Sequence, residues 1–159
     1  MSTPAMTLFE GGIADLDAVM TVMDSSFDRR FGEAWTASQC AGLLPMSGVW
    51  LTLARDEGGV AGFALARAVA GEAELLLLAV KAEAQRRGIG TVLLERFSTL
   101  AAARGASRLH LEVREGNQAV NLYRRAGFRL VGRRRNYYSG TDGRTYDALT
   151  LARRPASIT

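Results

Sequence analysis

Among its 159 residues the chain has one cysteine, Cys40, one histidine, His110, and one lysine, Lys81, and each scarcity removes a class of explanation. A single cysteine cannot close an internal disulfide or build a cysteine-rich metal site, so neither a disulfide scaffold nor any metal is expected. No apolar run approaches the roughly 20 residues of a membrane-spanning helix. The densest, residues 75–80, has the length of a strand. No basic segment followed by an apolar one opens the chain, so no secretory signal or membrane partner is expected and a cytoplasmic location is. Repeats, linkers and low-complexity stretches are lacking too, which predicts one domain over residues 1–152 and a short tail over 153–159.

What is present is a globular balance, 48% hydrophobic and 23% charged, in a chain long enough for one real core. The formal charge of +4 rests almost wholly on arginine. A basic surplus fits a nucleic-acid partner, an anionic cofactor or a solvated surface, and charge alone does not choose among them.

Periodicity gives the organisation. Residues 7–9 read as a first strand, and Ile13, Leu16, Val19, Met20 and Met23 then recur at helical spacing. Thr36 to Gln39 has the form of a capping box opening a second helix that Pro45 closes. Runs at 49–54, 60–69 and 73–80, separated by the glycine turns at 56–59 and 70–71, predict an antiparallel meander. Ile89, Val92, Leu93, Phe97, Leu100 and Ala101 then share one face of a long helix ending near Gly105. Residues 108–114 return to a period of two, with Leu109, Leu111 and Val113 on one side and His110, Glu112 and Arg114 on the other. Asn117 is a good N-cap for a short helix carrying Val120, Leu122 and Tyr123 and ending at Gly127, and strands at 128–133 and 146–151 follow. The order is strand, two helices, three strands, helix, strand, helix, two strands, an α/β arrangement with a mixed sheet.

The junction between the third meander strand and the long helix carries the first chemical signal. Gln85, Arg86, Arg87, Gly88, Ile89, Gly90 and Thr91 open that helix, where unpaired amides and the positive end of the dipole suit a diphosphate. Gly88 and Gly90 allow close approach of phosphate oxygens, and the two arginines add charge-assisted hydrogen bonds. The three-glycine dinucleotide fingerprint is absent, and no lysine follows Gly90 as a phosphate-loop motif requires.

QRRGIG after a strand ending LAV, followed by LEVREGNQAVNLYRRAGF, resembles the two signature segments of the GNAT acetyltransferase superfamily. The resemblance implies an acyl-CoA N-acyltransferase fold: a mixed, mostly antiparallel sheet of about seven strands flanked by about four helices. It also implies acetyl-CoA as cosubstrate, held by Leu78, Ala79 and Val80 along the pantetheine arm, by residues 86–91 at the diphosphate and by Asn117. The segment RRRNYYSGTDGRTYDALTL is similar to the end of the RimI group, the ribosomal-protein alanine acetyltransferases. That likeness implies Glu112 as general base, Tyr123 as general acid, and the N-terminal α-amine of a protein, a ribosomal one, as acceptor. The group often has asparagine, proline and a Pro-Trp pair where this chain has Leu77, Ser139, and Ala34 with Trp35, which leaves acceptor identity open.

The residues fit the implied chemistry. An α-amine with pKa near 8 is roughly a tenth neutral at pH 7, so it asks less of a base than a lysine amine does. Alternation places Glu112 on the polar face of its strand, and the phenol of Tyr123 is a competent proton donor to a leaving thiol. Phe31, Trp35, Asn136, Tyr137 and Tyr138 are candidates to rim the acceptor groove, with Asp28, Glu33, Glu74 and Asp142 to attract a basic peptide. Cys40 and His110 lie in apolar segments without a third orienting group, so direct transfer is expected over a covalent route. A small free amine remains the alternative acceptor, a coenzyme A sensor a third reading. A basic nucleic-acid module would use Arg133, Arg134, Arg135, Tyr137 and Tyr138; direct nucleic-acid binding is not expected.

Overall fold

The computed structural model describes residues 6–155, with the backbone alone at Arg29. Residues 1–5 and 156–159, which the expected domain and tail include, lie outside the described residues. The elements are β1 (Thr7–Gly11), α1 (Leu16–Ser26), α2 (Ala37–Leu43), β2 (Val49–Asp56), β3 (Gly59–Val69), β4 (Glu72–Val80), α3 (Ile89–Ala103), β5 (Arg108–Arg114), α4 (Ala119–Arg125), β6 (Arg129–Ser139) and β7 (Thr145–Arg153). This is the order expected from periodicity. The strands form one sheet, β1-β2-β3-β4-β5-β7-β6, in which β4 and β5 are the parallel pair and every other neighbour is antiparallel.

Local sequence accounts for most boundaries. Thr36 Oγ1 accepts from the Gln39 amide while Gln39 Oε1 accepts from the Thr36 amide, the capping box that starts α2. Gly105 and Gly127, just past α3 and α4, have φ of +84° and +93°, the left-handed conformation in which glycine carries no Cβ penalty. Asn117 caps α4 one residue further out than an N-cap proper: its Oδ1 accepts from the Ala119 amide at 2.8 Å.

Apolar side chains fall on both faces of the sheet. Beneath α3 and α4, Trp50, Leu75, Leu93, Phe97, Leu109, Leu111, Tyr123 and Leu151 pack together. Beneath α1 and α2, Val19, Met23, Leu51, Leu53, Phe63, Leu65 and Leu77 form the second layer. Among the described residues no helix is long and apolar enough to cross a membrane.

The feature that positions the site is a bulge in β4. Leu65 pairs with Leu77 but Ala66 pairs with Leu75, which leaves Leu76 unopposed. Side chains alternate along a strand, so the extra residue swaps the faces: Leu75 enters the α3 layer and Leu77 the α1 layer. The same kink ends the parallel ladder, which joins only Glu72, Ala73, Glu74 and Leu75 to Arg108, His110 and their neighbours up to Leu111. Beyond it, residues 76–80 and 112–114 border an open wedge.

One expected boundary moved. The strand expected at 128–133 runs to Ser139, with irregularities between Leu130 and Gly132 and between Arg134 and Tyr138. Asn136 has φ of +53°, and its amide donates to Asp147 Oδ1 at 3.0 Å, so an aspartate on β7 holds a strand whose own sequence does not alternate.

Candidate active site

The wedge opens into a cleft of about 1040 Å³. One end is bounded by the N-terminus of α3. Gly88, the residue before this fifteen-residue helix, has φ of +81°, and Arg86 is left-handed at +66°, an uncommon conformation for a side chain with a Cβ. Left-handed residues alternating with ordinary ones turn successive amides towards a common concavity, a geometry suited to phosphate oxygens. At Gly90 a Cβ would lie 3.2 Å from Leu122 Cδ2, so the floor between α3 and α4 is closely packed and Leu122 would have to give way to a larger residue. Gln85 Nε2 donates to the Val80 carbonyl at 2.9 Å and ties the loop to the end of β4.

Glu112 stands where β4 and β5 part. Its Oε1 lies 2.9 Å from Arg134 Nε on β6, and its Oε2 is buried without a hydrogen-bond partner. The side chain is 11% exposed against 61% for Arg134. Burial pushes its carboxyl above the ordinary glutamate range, Arg134 pulls it down, Glu74 pushes it up and His110 pulls it down. A carboxylate with one oxygen anchored and the other bare is arranged to take a proton.

Tyr123 lines the cleft from α4 and is 6% exposed, its ring edge-on to Phe128 at 6.0 Å. Burial, with the Glu33 charge adding to it, pushes its phenol well above the ordinary tyrosine range, so the proton stays on the oxygen. Tyr138 faces the same cleft from β6, half-buried, and is likewise pushed up by burial first.

The wall facing β5 comes from the α1–α2 connection. Glu33 accepts from Arg114 Nε and, through Oε2, from Asn117 Nδ2 at 2.7 Å. The Arg114 guanidinium also lies over the Phe31 ring at 3.7 Å. Gly32, at φ +73°, sits so close to Ser139 that any Cβ would collide with the Ser139 carbonyl. The segment carrying Phe31, Glu33 and Trp35 is thereby fastened both to the β5–α4 turn and to the β6–β7 hairpin.

Of the residues expected at the cofactor end, Leu78, Val80, Arg86, Gly88, Ile89, Gly90, Thr91 and Asn117 line the cleft. Ala79 is buried in the α1 layer, and Arg87 is exposed outside the lining. Phe31, Trp35, Glu74 and Tyr138 line the acceptor end with Asp28, Glu33 and Tyr137. Asn136 and Asp142 do not; they hold the β6–β7 hairpin, Asn136 through Thr145 and Asp142 through the Arg144 amide. Of the three arginines weighed for a nucleic-acid surface, Arg133 is paired with Glu115 and Asp147 and Arg134 with Glu112. Sequence reasoning missed the roles of Arg114 and Arg134; strand alternation put Arg114 beside Glu112, but nothing local pointed to their partners. Among the described residues no group of His, Cys, Asp and Glu converges as a metal set.

The acetyltransferase (GNAT) family profile matches residues 16–128. A ribosomal protein bS18-alanine N-acetyltransferase of Escherichia coli K12 is 44% identical over 98 residues, 61% of this chain; the chain spans 66% of that relative's length, just under two thirds. The protein of the same name from Haemophilus ducreyi is 32% identical over 84% of this chain and 97% of its own. The crystal structure of the Escherichia coli ribosomal-protein-S18-alanine N-acetyltransferase superposes with a TM-score of 0.84 at 30% identity, covering 98% of this chain and 97% of that one.

Proposed function

This chain belongs to the acetyltransferase (GNAT) family, and from that premise we propose that it moves an acetyl group from acetyl-CoA to the N-terminal α-amine of a protein, an alanine of a small-subunit ribosomal protein, in the cytoplasm. The observation that carries the reading is the pairing of a bare, buried Glu112 Oε2 with the Tyr123 phenol in one cleft. The names of the two relatives support the acceptor.

The residues present fit the coenzyme: left-handed Arg86 and Gly88 before α3, and a side-chain-free backbone at Gly90 packed near Leu122. Arg86, Gly88, Ile89, Gly90 and Thr91 would hold its diphosphate, the free edge of β4 over residues 76–80 its pantetheine arm. Asn117, whose Oδ1 is committed to the Ala119 amide, would flank it. When bound, acetyl-CoA supplies an acyl group activated as a thioester.

The chain's own groups then handle protons and position. Glu74 adds negative charge at the acceptor end, where Asp28, Glu33 and Glu112 are matched by Arg30, Arg114 and Arg134, and would draw a protonated amine. Glu112 Oε2 takes the proton from the amine nitrogen, directly or through a water, and its raised pKa brings it closer to that of the amine. Tyr123, kept protonated by burial, donates to the departing sulfur. Phe31 and Trp35, held by the Glu33 fastening, close over the peptide and exclude water.

The test is incubation with acetyl-CoA and peptides that differ only in the first residue, read by mass spectrometry. Acetylation of an alanine-initiated peptide is expected, with none on the pre-acetylated or proline-initiated controls. Acetylation of free amino acids in preference to every peptide would reverse the choice of acceptor.

A further inference from the structure

Among the described residues three buried side-chain polar atoms have no hydrogen-bond partner: Arg67 Nε, His110 Nδ1 and Glu112 Oε2. They fall in one row. Arg67 on β3 stands opposite Glu74 on β4, Glu74 is level with His110 on β5, and Glu112 follows His110 by two residues on the same face. Buried polar groups are normally satisfied, so a line of unsatisfied ones that ends at the candidate base calls for an explanation.

Exposure is graded along this row. The Glu112 side chain is 11% exposed, His110 23% and Glu74 35%, so the row leads from the better-buried Glu112 towards solvent. His110 Nε2 lies 3.8 Å from Glu74 Oε1, an ion-pair distance. That carboxylate favours the tautomer with hydrogen on Nε2, which leaves Nδ1 as an acceptor. Arg67 stands across from Glu74 on β3. Same-face neighbours on a strand are about 6.6 Å apart at Cα, a span that one water can bridge between an imidazole nitrogen and a carboxyl oxygen.

We propose that His110 receives, through a bridging water, the proton that Glu112 takes from the acceptor amine, and releases its Nε2 proton towards Glu74 and the cleft mouth. The inference rests on the reading of Glu112 as base. One proton leaves the amine for Glu112 Oε2; it moves through water to Nδ1; the imidazolium gives up the proton on Nε2, and Glu112 is returned to the carboxylate. No electron pair leaves the row and no oxidant is involved. His110 touches no reacting atom: it is a positioning residue acting through Glu112. The other charged groups on its face are Glu72 on β4, which pairs with Arg108; Arg108 and Arg114 on β5; and Arg129 and Arg134 on β6, while β7 presents only Ala152 and Thr150 opposite His110 and Glu112. Arg134 holds the other oxygen of Glu112, which leaves Oε2 as the one through which protons pass.

The experiment compares the full chain with His110→Gln and Glu74→Gln, measuring kcat and KM for an alanine-initiated peptide across pH, with and without added imidazole. The relay predicts a kcat for His110→Gln lowered about tenfold, less than the 10²–10⁴ of a primary base. KM for acetyl-CoA stays unchanged, and imidazole restores the rate. Glu74→Gln lowers kcat in the same direction; a rise in peptide KM alone would mean that Glu74 only binds substrate. Undiminished turnover in His110→Gln, or a loss that imidazole does not relieve, overturns the relay. Glu112→Gln separates the two ideas: if it is inactive while His110→Gln turns over at the wild-type rate, the relay alone fails, and if it is fully active the base reading fails.

Discussion

Replacing Glu33 by alanine removes one carboxylate and two attachments at once. Its two oxygens accept from Arg114 Nε and Asn117 Nδ2, and the pair is nearly sealed, with side chains 10% and 12% exposed. Removing one partner of a buried pair leaves the other charge uncompensated, which costs about 3–5 kcal/mol. The Arg114 guanidinium keeps its place over the Phe31 ring, so the lower end of that range is expected here. For a domain of this size each kcal/mol moves Tm by about 2–4 °C, so a fall of roughly 6–12 °C should appear by calorimetry. Function should suffer separately, because Phe31 and Trp35 lose their fastening: peptide KM should rise more than the KM for acetyl-CoA. Glu33→Gln, which can still accept from Asn117, should fall between. A Glu33→Ala protein that melts within about 2 °C of wild type and keeps its peptide KM would refute the claim that this residue holds the acceptor wall.

Other outcomes follow from the same geometry. Tyr123→Phe should lower kcat by roughly 10²–10⁴ with a fold unchanged by circular dichroism. Turnover should fall as pH drops through the raised pKa of Glu112, because the base works only when deprotonated; Arg134→Ala removes the charge that pulls this pKa down, so the acid limb of kcat/KM should move to higher pH. Gly90→Val should weaken acetyl-CoA binding in a calorimetric titration, since even its Cβ crowds Leu122 and the branched side chain would displace it at the start of α3. Gly32→Ala should raise peptide KM by forcing the α1–α2 connection off Ser139.

The parts of the fold that were legible in the sequence are those encoded locally. Alternation over residues 108–114 gave β5 and the side on which Glu112 stands, and the QRRGIG junction gave the start of α3. What was hidden depended on distant partners. Four leucines in a row carry no mark of the extra residue at Leu76, which appears only once β3 fixes the register. RRRNYY does not alternate, so β6 was expected to stop at Arg133; Asp147, eleven residues after Asn136, extends it. Glu33 is 81 residues from Arg114, and no spacing rule connects them. The row from Arg67 to Glu112 crosses three strands and becomes visible only after the sheet is assembled.

The account stands most directly on Glu112→Gln, measured for acetyl transfer to an alanine-initiated peptide alongside calorimetric binding of acetyl-CoA. It predicts turnover lowered by roughly 10²–10⁴ with affinity for acetyl-CoA unchanged, because the substitution removes the proton acceptor and leaves the α3 end of the cleft untouched. Wild-type turnover in this variant, or no binding of acetyl-CoA by either protein, would contradict it.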